Sequence, residues 1–214
     1  MRKPVLVFDF DNTITVGDAL DELIEAFSPN QDWRVWETAW IEGRLSARDC
    51  LQLQIGNLRV SRETLLERVA STQIDPWFAR IVGWARERDA EVIIVSDSFL
   101  PLILHVLRQN AIEGIPVFAN DLAFSADRLH PTFPYCDPSS IRSANAKARH
   151  LAVYRGRNTV VFAGDGRSDL DAALAADVVF AKDSLARELD ARSVAYHRFS
   201  TLEPMLAYLA ATPA

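Results

Sequence analysis

The 214 residues suffice for one core domain plus a small accessory one, and a composition 49% hydrophobic and 24% charged excludes a disordered or low-complexity chain. A formal charge of −6 argues against nucleic acid or an anionic membrane as a partner, since polyanions are held mainly through Lys and Arg. Cys50 and Cys136 form no CxxC and no metal-ligand spacing, no apolar run is long enough to span a bilayer, and the opening residues lack the apolar stretch of a signal peptide, so free thiols and a cytoplasmic location are expected.

Residues 4–9 are an apolar run that ends in charge, the pattern of a strand buried on both faces in a parallel sheet. Residues 17–88 contain no convincing strand. Their spacing predicts amphipathic helices near 19–27, 31–42, 46–56, 61–70 and 75–88, the last opening on Asp75 as N-cap and Pro76 at the first helical position. Trp33, Trp36 and Trp40 recur at helical spacing and read as the core of this segment. A second buried strand is predicted at 91–96, followed by a helix over 99–110. Two short β-like pieces, 117–120 and 122–124, suggest a small hairpin or flap within 116–135. A helix over 140–152 leads to a strand at 158–163, then a helix at 168–176, a weaker strand at 178–181 and a closing helix at 201–211. This alternation implies an α/β fold, a Rossmann-like doubly wound parallel sheet with helices on both faces. The expected division is a core of 1–16 and 76–214 with an inserted helical cap over 17–75.

Three acidic motifs directly follow three predicted strands. In open parallel sheets ligands bind at the carboxyl ends of the strands, so segments distant in sequence converge on one site. In Asp9-Phe10-Asp11-Asn12-Thr13-Ile14-Thr15, the two aspartates are spaced to point the same way in extended chain. Neighbouring carboxylates repel unless a cation lies between them, and a hard ion such as Mg²⁺ suits oxygen ligands. Ser96-Asp97-Ser98 offers a hydroxyl and backbone N–H groups just before a helix, a natural phosphate cradle. Gly164-Asp165-Gly166-Arg167-Ser168-Asp169 has the glycines of a tight turn, with two aspartates at one-turn spacing.

On these residues the chain resembles the haloacid dehalogenase superfamily of phosphohydrolases: Asp9 to Thr13 looks like its DxDx[TV] motif, Ser96 like its second motif, Gly164 to Asp169 like its fourth, and the helical insertion like the C1 cap of the phosphoserine phosphatase-like branch. The resemblance implies that Asp9 attacks phosphorus and forms an aspartyl-phosphate, that Asp11 protonates the leaving alcohol and then activates water, and that Mg²⁺ is held by Asp9, the backbone carbonyl of Asp11, and Asp165. Ser96, Asp97 and Lys147 would bind the phosphate, with Arg149 or Arg142 as substitutes for the lysine. Thr13 and Asp169 would stand behind the site, and Asp18, near the hinge, would touch the substrate. Gly17 and 71–76 are the expected hinges. The Phe118-Ala119-Asn120, Phe133-Pro134-Tyr135 and Phe180-Ala181-Lys182-Asp183 segments look most like the methionine-salvage (MtnX-like) phosphatases, while the phosphoserine phosphatases place a Glu where this chain has Asp18. The implied activity is a magnesium-dependent phosphatase of a small phosphorylated substrate, in a monomer or homodimer, with a phosphoserine phosphatase or a phosphotransferase or mutase on the same fold as alternatives.

Overall fold

A computed structural model of the chain describes residues 2–212. Its sheet has seven strands: β1 (Pro4–Phe8), β2 (Glu91–Phe99), β3 (Val117–Ser125), β4 (Arg128–Thr132), β5 (Thr159–Gly164), β6 (Val178–Ala181) and β7 (His197–Arg198), in the spatial order β4-β3-β2-β1-β5-β6-β7. All neighbours are parallel except the β3–β4 hairpin. The first strand in sequence is therefore the central one, flanked by β2 and β5.

The period-2 alternation of strand side chains divides the core into two. Leu6 and Phe8 of β1, Val92 and Ile94 of β2, and Val161 and Ala163 of β5 face one side. There they meet α5 (Pro76–Glu87), α6 (Leu100–Gln109) and α10 (Glu203–Ala211). Val5, Val7, Ile93, Val95, Val160 and Phe162 face the other side, covered by α7 (Lys147–Ala152), α8 (Leu170–Ala175) and α9 (Asp183–Ala191). Strands buried on both faces explain why these segments read as unbroken apolar runs.

Four helices, α1 (Ala19–Phe27), α2 (Asp32–Ile41), α3 (Ala47–Asn57) and α4 (Arg62–Val69), lie between β1 and α5. The two chain crossings that bound them are paired: Thr15 bridges Ile74, the Val16 N–H donates to the Gln73 carbonyl at 2.8 Å, and the Asp75 N–H donates to the Ile14 carbonyl at 2.8 Å. The inserted helices share the core's apolar cluster through Leu20, Ile24, Ile55, Leu58, Leu65 and Val69. The segment after α3 also leans on the hairpin, where the Val60 N–H donates to the Asp127 carbonyl at 3.1 Å. Asp75 caps α5 by accepting from the Trp77 N–H and ties it to the start of α10 by accepting from the Leu202 N–H at 2.9 Å.

Some elements differ from their sequence patterns. The helix expected over 140–152 is only Lys147–Ala152, because residues 143–145 are pulled into a loop by Asp97. β2 runs on to Phe99 through a register shift between Val95 and Phe99, and the flap expected within 116–135 is the β3–β4 hairpin, continuous with the main sheet. The 168–176 helix splits into a 3₁₀ turn at Arg167–Asp169 and α8. Helix α9 and strand β7 follow β6, where the apolar pattern had given no element. No helix among the described residues is long and apolar enough to cross a membrane.

Candidate active site

The carboxyl ends of β2, β1 and β5 lie side by side, so the segments after them close around one cavity of about 150 Å³. Asp9, Asp11, Ser96, Ser98 and Asp165 line it from the core, and Asp18, Glu37, Trp40 and Gln54 from the inserted helices.

Asp9, 6% exposed, is oriented by its own strand end: one oxygen accepts the Phe10 N–H at 2.7 Å, and the other lies 3.0 Å from the Lys147 Nζ. Lys147 is a buried cation at the start of α7, shared between Asp9 and Asp169, the latter at 2.7 Å. Burial alone would push its pKa down, but Asp169, Asp9 and Asp97 outweigh burial and raise it, so the ammonium stays charged. Asp169, fully buried, spends one oxygen on Lys147 and the other on the N–H groups of Asp165 and Gly166. It therefore builds the turn that presents Asp165. Thr13 and Asn12 hold the Asp165 carboxylate at 3.1 and 2.9 Å, while burial and the nearby Asp9 push its pKa up to about 6.

The carboxylate oxygens of Asp9, Asp165 and Asp169 approach within 4.8 Å of one another, a hard-oxygen group that fits a divalent cation such as Mg²⁺. With Asp169 fully engaged, Asp9 and Asp165 are the available carboxylate donors. Asp11 points its carboxylate elsewhere, accepting from the Ser98 hydroxyl and, at 3.3 Å, from the Leu20 N–H in the first turn of α1. Burial first, then Asp18 and Asp9, raises its pKa well above the usual carboxylate range, so the group is disposed to hold a proton.

Ser96 is buried in the cavity wall, its hydroxyl accepting the Ser98 N–H at 3.1 Å. The Asp97 side chain is engaged away from any phosphate. Its carboxylate accepts from the Ser143 hydroxyl and from the N–H groups of Ala144 and Asn145, which makes it the anchor of the loop before α7. An anion facing a phosphate would in any case repel it, so any contribution of this residue must come from its backbone. Neither Arg149, paired with Asp137, nor Arg142, 3.2 Å from Glu188, reaches the Asp9 carboxylate in place of Lys147. Asp18 lines the cavity and caps α1 by accepting the Asp21 N–H at 2.8 Å; burial and Asp21 push its pKa up to about 8.

Sequence reasoning passed over Asn12, Ser98, Glu37 and Gln54. Asn12 sits inside the first motif with a left-handed φ of 50°, and its amide bridges Asp165 and Asp183. Its place directly after Asp11 within the first motif was the available signal. Trp33 is buried and Trp36 packs on the apolar cluster, whereas Trp40 reaches the cavity wall.

Residues 6–174 match the family model of haloacid dehalogenase-like hydrolases. The chain is 26% identical over 195 residues to the bifunctional enzyme MtnB/MtnX of Bacillus licheniformis, covering 89% of this chain but only 45% of that protein. It is 25% identical to the 2-hydroxy-3-keto-5-methylthiopentenyl-1-phosphate phosphatase of Brevibacillus brevis, covering 97% of this chain and 96% of the relative. A solved phospho-aspartyl intermediate analogue of phosphoserine phosphatase superposes with a TM-score of 0.74 at 18% identity, covering 97% and 99% of the two chains, which shows the shared fold.

Proposed function

This chain belongs to the haloacid dehalogenase-like hydrolases and is a phosphoric monoester hydrolase, and from that premise we propose that it cleaves a small phosphorylated metabolite by covalent catalysis on Asp9. The observation that carries the reading is the setting of Asp9: a buried carboxylate at a strand end, 3.0 Å from the Lys147 ammonium, in a cavity shared with Asp11, Ser96 and Asp165.

A phosphate entering the cavity would accept from the Ser96 hydroxyl and meet the charge of Lys147. A carboxylate oxygen of Asp9 attacks phosphorus, and the bond to the ester oxygen breaks as Asp11 delivers its proton to the departing alcohol. Asp11, now a carboxylate, takes a proton from water as that water attacks the phosphorus of the aspartyl-phosphate, which releases inorganic phosphate and restores both acids. Bound Mg²⁺, held by Asp9, Asp165 and the Asp11 backbone carbonyl, would offset phosphoryl charge as it develops. Thr13 and Asp169 position Asp165 without touching the substrate, and Asp18 meets the alcohol part. The helices of 17–75 act as the cap over a core of 1–16 and 76–214, opening about Gly17 and 71–76 and excluding water when closed. A cytoplasmic enzyme, monomeric or homodimeric, agrees with the two free thiols and the modest negative charge.

Purified protein should release phosphate from at least one member of a panel of small phosphomonoesters in Mg²⁺. EDTA and Asp9→Asn should each lower turnover by three orders of magnitude or more, on the order of what removal of a covalent nucleophile costs. Turnover that survives Asp9→Asn would assign the nucleophile elsewhere.

A further inference from the structure

Residues 141–147 touch, one after another, the separate parts of the site. The Ile141 carbonyl accepts the Ala47 N–H of the inserted helices at 3.0 Å. Arg142 lies 3.2 Å from the Glu188 carboxylate, and the same oxygen lies 3.6 Å from Arg167 in the turn after β5. Ser143, Ala144 and Asn145 all donate to the Asp97 carboxylate near the end of β2, and the Asn145 side-chain amide donates to the Ser96 carbonyl at 3.0 Å. Lys147 then reaches Asp9 at 3.0 Å.

The first of these contacts completes a helix. Backbone N–H groups in a first helical turn have no acceptor within the helix. In α3 the Ser46 hydroxyl answers the Asp49 N–H, and Ala47 finds its acceptor outside the insertion, at Ile141. Ala47 is buried and lines the cavity. The Ile141 side chain adds an apolar contact, its Cδ1 3.7 Å from where a Cβ on Gly43 would stand. The contact of Val60 with Asp127, by contrast, involves no residue that lines the cavity. Ser143, Ala144 and Asn145 are buried and tied at both backbone and side chain, so a shift at Ile141 is not absorbed locally but passes along the run.

We infer that this run couples the insertion to the catalytic centre: seating of α3 on the Ile141 carbonyl holds Lys147, and the turn that bears Asp165, in the positions that receive phosphate. Ala47 and Ile141 are then positioning residues that act on the phosphate through Lys147. The inference goes beyond the phosphatase reading and rests on it. An insertion that swings away gives up this hydrogen bond and frees the segment before α7. A substrate packed against α3 keeps the contact made and the lysine in place.

Ala47→Pro isolates the contact. Proline at the first helical position gives up an N–H that the helix itself does not use, and Ser46, at φ −74° and ψ 154°, already has the extended backbone that a following proline requires. The probe is inorganic phosphate, used as a competitive inhibitor of p-nitrophenyl phosphate turnover in Mg²⁺. Its inhibition constant is indifferent to the fraction of protein folded. The proposed phosphate seat, Ser96 and Lys147, includes no residue of α3, so a purely local role for Ala47 would leave this constant alone. In Ala47→Pro the constant should rise about fivefold or more, the lower end of coupling between sites. Ile141→Ala, at a half-exposed position that tolerates truncation, should move it in the same direction and supplies the test should Ala47→Pro fail to fold. A constant unmoved in either folded variant overturns the inference, while Asp9-dependent turnover by the parent leaves the phosphatase reading standing. If no ester shows turnover that Asp9→Asn abolishes, the phosphatase reading falls and the coupling falls with it.

Discussion

At the scale of single residues, charge is placed where solvent cannot screen it and must be answered locally. Lys147, Asp9 and Asp169 are each nearly inaccessible, and one cation between two carboxylates keeps the desolvation of all three tolerable. Asp18 has no such partner, and the consequence is a pH-dependent stability. Its folded pKa is about 8 because of burial and the neighbouring Asp21, against about 3.9 for an unfolded aspartate. Between those values the folded state keeps a proton that the unfolded chain has released, so this residue lowers stability progressively as pH rises from 4 to 8, and no further above that. Asp18→Asn keeps an equally good helix cap and removes the charge. The variant should melt higher than the parent at pH 8, with the gap closing towards pH 5; melting curves parallel across this range would refute the assignment. Asp9, Asp11 and Asp165 were legible in sequence because each directly follows a buried apolar run. Glu37 and Gln54 were not, since nothing in a helical period says which exposed or buried polar position will face a cavity formed by another part of the chain.

At the scale of elements, the turn between β5 and α8 is the most constrained piece of the site. A Cβ on Gly164 would stand 2.7 Å from the Asp169 carboxylate and 2.8 Å from the Phe162 ring. Asp169 cannot yield without releasing Lys147 and the two N–H groups of the turn. Gly164→Ala should therefore cost about 1–3 kcal/mol in urea denaturation, the usual penalty of overpacking, and should lower phosphatase turnover as well. An unchanged midpoint would mean that the turn has slack. The glycine was readable as part of a tight turn, but its steric reason depends on Asp169 folding back. The same limit applies to 140–146: its residues are tolerated in a helix, and only the long-range pull of Asp97 on Ser143, Ala144 and Asn145 turns them into a loop. Helix α9 was hidden because its first residue, Asp183, takes a left-handed φ of 44° while bound by Asn12, which interrupts the run from β6.

At the scale of the molecule, the inserted helices and the sheet share one apolar cluster and are joined by a paired crossing, so they should unfold together. Three of the five tryptophans, Trp33, Trp36 and Trp40, lie in the insertion, and Trp77 and Trp84 lie on α5. Fluorescence and far-ultraviolet circular dichroism should report coincident denaturant transitions. A fluorescence change that precedes the loss of ellipticity would show the insertion melting on its own. The layered α/β plan was legible from the alternation of apolar runs and helical periods. Sharing of the core was not, because the apolar faces of α1, α3 and α4 look the same whether they pack on each other or on the sheet.

The central position of β1 also bears on how the chain is made. Its four buried residues, Val5 to Phe8, are made well before their partners, which begin only at Glu91 and Thr159. Until those partners are made, this buried apolar strand waits with both edges open, the condition in which nascent chains pair with the wrong neighbour. The helices made next are short-range structures that can form without the sheet, and their paired ends return the chain beside β1 before β2 appears. The insertion that encloses the cavity in the finished enzyme is thus also placed to shelter the first strand during its birth.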